Sequence, residues 1–183
     1  MRTVIHEFIQ KNAYGHIKNY IVPGLTSALL AEDPNHDGQK VRIFHSERQH
    51  QERITPHSHR FDLACCVMRG TVTNTLWQKA PSPYKADEYQ ASVLEYLGEP
   101  GCYDRKKGES AFYRAESTVY KEADWYFMSH KEIHSIEFSR DAIVLVIEGP
   151  SMTTDSTILE PVVNGEVVPT FQLQGWMFKK DAA

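Results

Sequence analysis

Three histidines stand at positions that could hold a metal ion. His57 and His59 are two residues apart in the segment ITPHSHRF, which is typical of a β-strand. Because side chains alternate between the two faces of a strand, both imidazoles would point to the same face. His134 begins the alternating segment HSIEF much later in the chain, and a folded sheet could bring it to the same point. Three neutral imidazoles suit divalent iron, zinc, nickel, copper or manganese, so the sequence predicts a metal site.

Asp62 is the carboxylate nearest to the histidine pair and is a candidate fourth ligand. It stands at odd spacing from His57 and His59, so a regular strand would direct it to the opposite face. Only a β-bulge would turn it inward. The alternative is that Asp62 fixes a histidine ring nitrogen or pairs with Arg60. A site of three histidines is therefore favoured over one that includes Asp62.

Two side chains are candidate catalytic residues. Arg60 follows His59, and its guanidinium beside an open metal position could hold a substrate carboxylate in a bidentate pair. Strand alternation argues instead that Arg60 points away from the site. Tyr126, in the segment ADWYFMSH, either lines the interior or packs as an ordinary core aromatic. Cys65 shares the parity of the histidine pair and is either a thiol beside the metal or a small buried residue.

From Lys40 onward, short segments with a period of two predict an all-β fold. About eight of them follow one another at intervals of roughly ten residues without a helical pattern between them, which is typical of a jelly roll or related β-barrel. Asn164-Gly165 lies between two valine pairs and predicts a hairpin. Before Lys40, VIHEFIQ and HIKNYIVPGLTSALLAE carry apolar residues at helical spacings, broken by Pro23-Gly24, and predict two short helices. We therefore expect one domain, with a helical arm at 1–38, a barrel at 39–150 and a C-terminal hairpin and arm at 151–183.

The composition is that of an ordinary globular chain. It has 183 residues, of which 41% are hydrophobic and 24% charged, with a formal net charge of -4. Basic residues are scattered, so no nucleic-acid partner is expected. No apolar segment is long enough for a membrane helix, and the first residues lack the apolar core of a signal peptide, so we expect a cytoplasmic protein. Three cysteines, two of them adjacent, do not suggest a disulfide framework.

The order of the motifs resembles the cupin superfamily across residues 41–149. In that superfamily a His-x-His motif followed by an acidic residue and a glycine lies on one strand, and a second motif supplies another histidine. Here the first motif reads PHSHRFD and ends at Gly70, and the second is ADWYFMSHKEIHS. The resemblance implies a jelly-roll barrel in which His57, His59 and His134 bind a divalent metal.

Two departures from the cupin pattern narrow the expected function. Ser129-His130-Lys131-Glu132 replaces the usual Pro-x-Gly turn, and Leu63 and Ala64 occupy the places of the family's glutamate. A site without that carboxylate resembles the thiol-dioxygenase branch of the cupins, in which three histidines hold ferrous iron. This resemblance implies an iron-dependent dioxygenase that acts on a small organic molecule. The alternatives are a ligand-binding or sensor cupin without turnover and a non-redox isomerase or lyase.

The C-terminal segment FQLQGWMFKK carries apolar residues that need a covering surface. Such an arm packs either across its own barrel or onto a second subunit. We favour a homodimer.

Overall fold

The computed structural model describes residues 7, 11, 13, 15–33, 39–50, 54–98, 102–168 and 177–178. These residues form thirteen β-strands, so the all-β prediction is confirmed. The strands are β1 (Gly15–Lys18), β2 (Leu25–Glu32), β3 (Lys40–Ser46), β4 (Phe61–Arg69), β5 (Thr71–Lys79), β6 (Asp87–Tyr96), β7 (Cys102–Lys121), β8 (Trp125–Met128), β9 (Ile133–Phe138), β10 (Ile143–Ser151), β11 (Asp155–Val163), β12 (Glu166–Val167) and β13 (Met177–Phe178).

The strands form two sheets. The first sheet has the order β1-β2-β3-β10-β4-β8, and all of its neighbouring strands are antiparallel. The second sheet has the order β12-β11-β6-β7-β5-β9, again antiparallel, and β13 adds a short parallel pairing with β7. The two sheets do not close into one barrel, so that detail of the jelly-roll prediction is wrong.

The main core lies between the two sheets. Alternate residues of β4, namely Leu63, Cys65 and Val67, are buried, as expected for a strand with one face in the core. From the second sheet, Val72 of β5 and Phe138 of β9 join the same cluster. Burying these apolar side chains removes their surface from water, which holds the two sheets face to face.

The segment that carries the first two histidines links the edges of the second sheet. The backbone amide of His57 donates to the carbonyl of His134 at 2.8 Å, and the amide of His134 returns a bond to His57 at 2.9 Å. On the other side, Ser58 donates to Thr157 and Leu159 donates to Pro56, each at 2.8 Å. The segment therefore lies between β9 and β11, which sets the backbone of His57 directly beside that of His134.

The helical structure predicted over HIKNYIVPGLTSALLAE, on either side of Pro23-Gly24, is wrong. Strands β1 and β2 form an antiparallel hairpin there, and β2 also pairs with β3. Asn19, Ile21 and Gly24 have φ values of 54°, 66° and 80°, so the connection turns through the left-handed region. Pairing with β3 outweighs the local helical spacing, because tertiary contacts routinely override propensity. The first predicted helix, VIHEFIQ, lies almost wholly outside the described residues.

The predicted hairpin at Asn164-Gly165 is confirmed. These residues have φ values of 53° and 81°, and they join β11 to β12 with Val163 opposite Glu166. Two consecutive positive φ angles fit a type I′ turn. The C-terminal arm lies outside the described residues except for 177–178, so the homodimer stays a prediction. Within the described ranges, no helix has the length and apolar character needed to cross a membrane.

Candidate metal centre

The three predicted histidines come together in space. The ring centroids of His57 and His59 are 4.8 Å apart, and the ring of His134 is 5.0 Å from each of them. One ring nitrogen from each residue lies within 4.8 Å of the other two. His57 and His134 are buried and His59 is partly buried. Three imidazoles in this arrangement could hold a metal ion.

The separation of two of the nitrogens fits ligands of one ion. His59 Nε2 and His134 Nε2 are 2.9 Å apart. Two imidazole nitrogens at adjacent corners of an octahedron, each about 2.0–2.1 Å from a metal, would be about 3 Å apart. These two side chains therefore need little rearrangement to bind the same ion.

Hydrogen bonds fix the orientation of two of the rings. His57 Nδ1 donates to the backbone carbonyl of Thr55 at 2.8 Å, and His134 Nδ1 donates to Asn74 Oδ1 at 2.7 Å. Each bond places the proton on Nδ1 and leaves the lone pair of Nε2 free for a metal. Asn74 was not among the residues predicted from the sequence. The available signal was an amide within the β-branched segment TVTNTLW, and the structure shows that this amide is buried.

Burial keeps all three imidazoles neutral. Desolvation lowers the pKa of His57, and the bond to Thr55 raises it only in part. The pKa of His59 lies well below its usual value because of burial and then the nearby charge of His57. For His134, burial and then His57 and His59 hold the pKa well below its usual value. Neutral imidazoles are the form that binds metal.

The structure does not bring Asp62 to the three histidines. Its carboxylate is exposed and accepts hydrogen bonds from the backbone amide of His130 at 2.7 Å and from His130 Nδ1 at 2.8 Å. These bonds hold the pKa of Asp62 below its usual value. The Asp62–His130 pair joins the start of β4 to the turn before His134. Asp62 thus anchors that turn, a role that its spacing from the histidines did not predict.

Tyr126 lies in the apolar core. Its ring stacks on Tyr120 at 4.4 Å between centroids, and it stands opposite Cys65 in the β4–β8 register. Its hydroxyl is buried, and burial holds the pKa of Tyr126 well above its usual value. Among the contacts of the described residues, none joins Tyr126 or Cys65 to the histidines, which fits core packing for both.

Arg60 does not lie on a regular strand, so strand alternation does not apply to it. β4 begins only at Phe61, and Arg60 occupies a bend between His59 and that strand. Its guanidinium carbon lies 3.9 Å from the centre of the Tyr96 ring, on β6 of the second sheet. The side chain therefore reaches from the start of β4, in the first sheet, toward the second sheet.

Two ion pairs near these segments were not predicted. Arg42 Nε donates to Glu148 Oε1 at 2.7 Å, with side chains only 17% and 11% exposed. Arg105 forms an ion pair with the buried carboxylate of Glu160 and also donates to Ser92. The sequence did carry a signal for the first pair. Arg42 is a charged residue on the alternating strand KVRIFHS, and it shares a face with Phe44, two positions later.

Comparisons with known proteins show a likeness only at the level of fold. No protein-family model and no curated protein sequence matches the chain. Hydroxypropylphosphonic acid epoxidase from S. wedmorenis superposes with a TM-score of 0.48 at 8% identity, over 74% of this chain and 55% of that one. Streptomyces albus HEPD, with 2-hydroxyethylphosphonate and Fe(II) bound, superposes with a TM-score of 0.45 at 13% identity, over 72% of this chain and 23% of that one.

A third solved structure is hydroquinone 1,2-dioxygenase in complex with Cd2+ and 4-hydroxybenzonitrile. It superposes with a TM-score of 0.39 at 18% identity, over 67% of this chain and 64% of that one. This chain spans about half the length of the epoxidase. At such identities and scores the three likenesses carry no argument about function.

Proposed function

We propose that this protein is a metal-dependent enzyme of the cupin type that binds ferrous iron through His57, His59 and His134. It would oxidise a small organic molecule with dioxygen. The observation that supports the proposal is the convergence of three neutral imidazoles from two distant segments without a carboxylate among them. When bound, a divalent ion with three neutral ligands would supply Lewis acidity and redox chemistry at its open positions.

The surrounding residues support this use of the histidines. Thr55 and Asn74 fix two of the rings through Nδ1, which leaves Nε2 of each ring for a metal. The ring of Phe61 stacks on His59 at 5.7 Å between centroids, and the fully buried Ile158 is the bridge partner of His57. Apolar neighbours of this kind exclude water and strengthen electrostatic interactions at the site.

Metal analysis tests the ligand set. Protein purified without chelators and loaded anaerobically with Fe(II) is expected to hold about one ion per chain. His57→Ala, His59→Ala and His134→Ala should each lose most of the bound metal, whereas His130→Ala should retain it and serves as the matched control. A wild-type protein that binds no Fe(II), Zn(II), Ni(II), Cu(II) or Mn(II) would overturn the proposal.

Oxygen uptake tests the reaction class. The iron-loaded protein is expected to consume dioxygen in step with an organic substrate, and the zinc-loaded protein is not. Metal binding with substrate turnover but without oxygen uptake would favour an isomerase or lyase. Metal and ligand binding without turnover would favour a sensor.

A further inference from the structure

One edge of the first sheet carries two exposed aromatic side chains. In the part of the chain that the structure describes, β8 pairs with β4 and with no other strand. Its side chains alternate: Tyr126 and Met128 are buried in the main core, whereas Trp125 and Phe127 are 50% and 74% exposed. The two exposed rings are nearly parallel, at 18°, with centroids 6.5 Å apart. Strand β8 therefore combines an aromatic outer surface with an edge whose backbone groups bond to no described strand.

The neighbouring strands continue this apolar surface. Residues that stand opposite each other in a sheet share a face. The register therefore gives two rows across β8, β4 and β10, namely Phe127–Ala64–Ile147 and Trp125–Cys66–Leu145. Met68, two residues beyond Cys66 on β4, is 51% exposed, and Ile147 is 38% exposed. The four exposed side chains Trp125, Phe127, Met68 and Ile147 form an apolar patch on the outer face of the first sheet.

The other described edge strands have features that prevent association with a further strand, and β8 does not. Strand β1 ends with the exposed Lys18, and β12 begins with the exposed Glu166. The outer side of β9 is bonded to the segment that contains His57. Strand β8 reads WYFM, without a charge, a proline or a shift in its register with β4. Because a regular apolar edge is a template for another strand, β8 is suited to a partner.

A second copy of this chain meets the requirements of that edge. A strand that extends the sheet there must bring apolar side chains on both faces, beside Trp125 and Phe127 outside and beside Tyr126 and Met128 inside. Strand β8 itself has this pattern, so it can pair with its own copy about a two-fold axis. At roughly 150–250 Å² for a large aromatic side chain, the exposed parts of the apolar patch amount to about 400 Å². This is about half of the roughly 800 Å² that each partner buries in a standard interface, and the paired strands with their flanking turns would add to it.

We propose that this protein forms a symmetric dimer in which the β8 strands of two copies pair antiparallel and extend the first sheet across both subunits. With the two-fold axis at Tyr126, Trp125 of each copy lies opposite the partner's Phe127, and aromatic cross-strand pairs stabilise a sheet. The inference assigns the homodimer contact to β8 rather than to the C-terminal arm. It uses no residue of the metal centre and is independent of the proposed function.

Sedimentation velocity of the full chain tests the dimer. Over roughly 1–100 μM the wild-type protein is expected to pass from monomer to dimer, since interfaces of standard size reach micromolar affinity or better. Phe127→Lys and Trp125→Lys should each raise the Kd of the dimer at least about 30-fold, because each replaces a central aromatic side chain with a charge. Ile17→Lys is the matched control. Ile17 is 51% exposed on β1, at the opposite edge of the same sheet, so this variant should dimerise as the wild type does.

Hydrogen exchange locates the interface without a substitution. The backbone amides of β8 should exchange more slowly in the wild-type dimer than in the dilute monomer, and those of β1 should not change. Circular dichroism shows whether the lysine variants fold; if neither does, the exchange measurement carries the test.

Three results would overturn the proposal: a monomer at every concentration, a wild-type dimer affinity in the folded Phe127→Lys and Trp125→Lys variants, or β8 amides that exchange equally fast in monomer and dimer. The second result would move the dimer contact to another surface, such as the C-terminal arm.

Discussion

His59 Nε2 and His134 Nε2 lie 2.9 Å apart, at hydrogen-bonding distance. His134 Nδ1 already donates to Asn74, so His134 Nε2 is the acceptor and His59 Nε2 carries the proton. A metal ion between the two nitrogens would replace this bond, and only His59 would have to change tautomer. His57 and His134 are thus already in the form that binds a metal.

Asn74 should control the metal affinity through His134. In Asn74→Leu the buried Nδ1 of His134 loses its acceptor, and the dissociation constant for Fe(II) or Zn(II) should rise about 10–100-fold. Asn74→Asp keeps an acceptor and should bind at least as tightly as wild type. Competition with a chelating dye measures both. Thr75→Val, on the same strand but the opposite face, is the control; wild-type affinity in Asn74→Leu would refute the positioning role.

Asp62→Asn should leave the metal content unchanged, because the carboxylate contacts His130 and not the three histidines. Since its folded pKa lies below the usual 3.8, the carboxylate stabilises the fold above that pH and loses this effect as the pH falls through the folded pKa. The side chain is exposed, so the difference in unfolding free energy should stay below about 1 kcal/mol. Urea unfolding at pH 6 and pH 3 measures it. Loss of metal from a folded Asp62→Asn protein would show that Asp62 is a ligand after all.

Alkaline pH should destabilise the protein through Cys65. Burial raises the pKa of this thiol from 9.0 to about 12, and the neighbouring Tyr126 is shifted in the same direction. Between these values the unfolded state releases a proton that the folded state retains, so stability falls as the pH rises above about 9. Urea unfolding at pH 8, 9 and 10 should show a smaller decline for Cys65→Val than for wild type. Cys66→Ala is the matched control, and an equal decline in Cys65→Val and wild type would contradict the assignment.

Gly70→Ala should destabilise the turn between β4 and β5. Gly70 has a φ of +75°, and an added Cβ would lie 2.7 Å from Ser139 Oγ and 3.0 Å from the Cα of Ala142. Strain and contact together should cost about 1–3 kcal/mol in unfolding free energy. Gly98→Ala is a close control, because Gly98 also has a positive φ, +90°, but nothing lies within 4 Å of the new Cβ. Equal losses in the two variants would show that backbone strain alone is responsible.

Features that depend on local spacing could be predicted from the sequence. Alternation in segments such as TVTNTLWQK predicted strands, and Asn164-Gly165 predicted a hairpin, because both are set by backbone geometry over a few residues. The spacing of His57 and His59, with His134 in the cupin-like second motif, identified the three histidines that converge. All of these predictions use information that lies within one short segment or one motif pair.

The remaining features depend on how distant strands pair. The segment before β2 has helical spacing, yet hydrogen bonding of β2 to β3 makes it a hairpin. Alternation could not place Arg60, because the chain bends there and β4 has not yet begun. Asn74, Arg42 and Glu148 meet their partners across strands that are far apart in sequence. Spacing fixes the direction of a side chain only within a regular strand, whereas the neighbours of that side chain depend on how distant strands pair and pack.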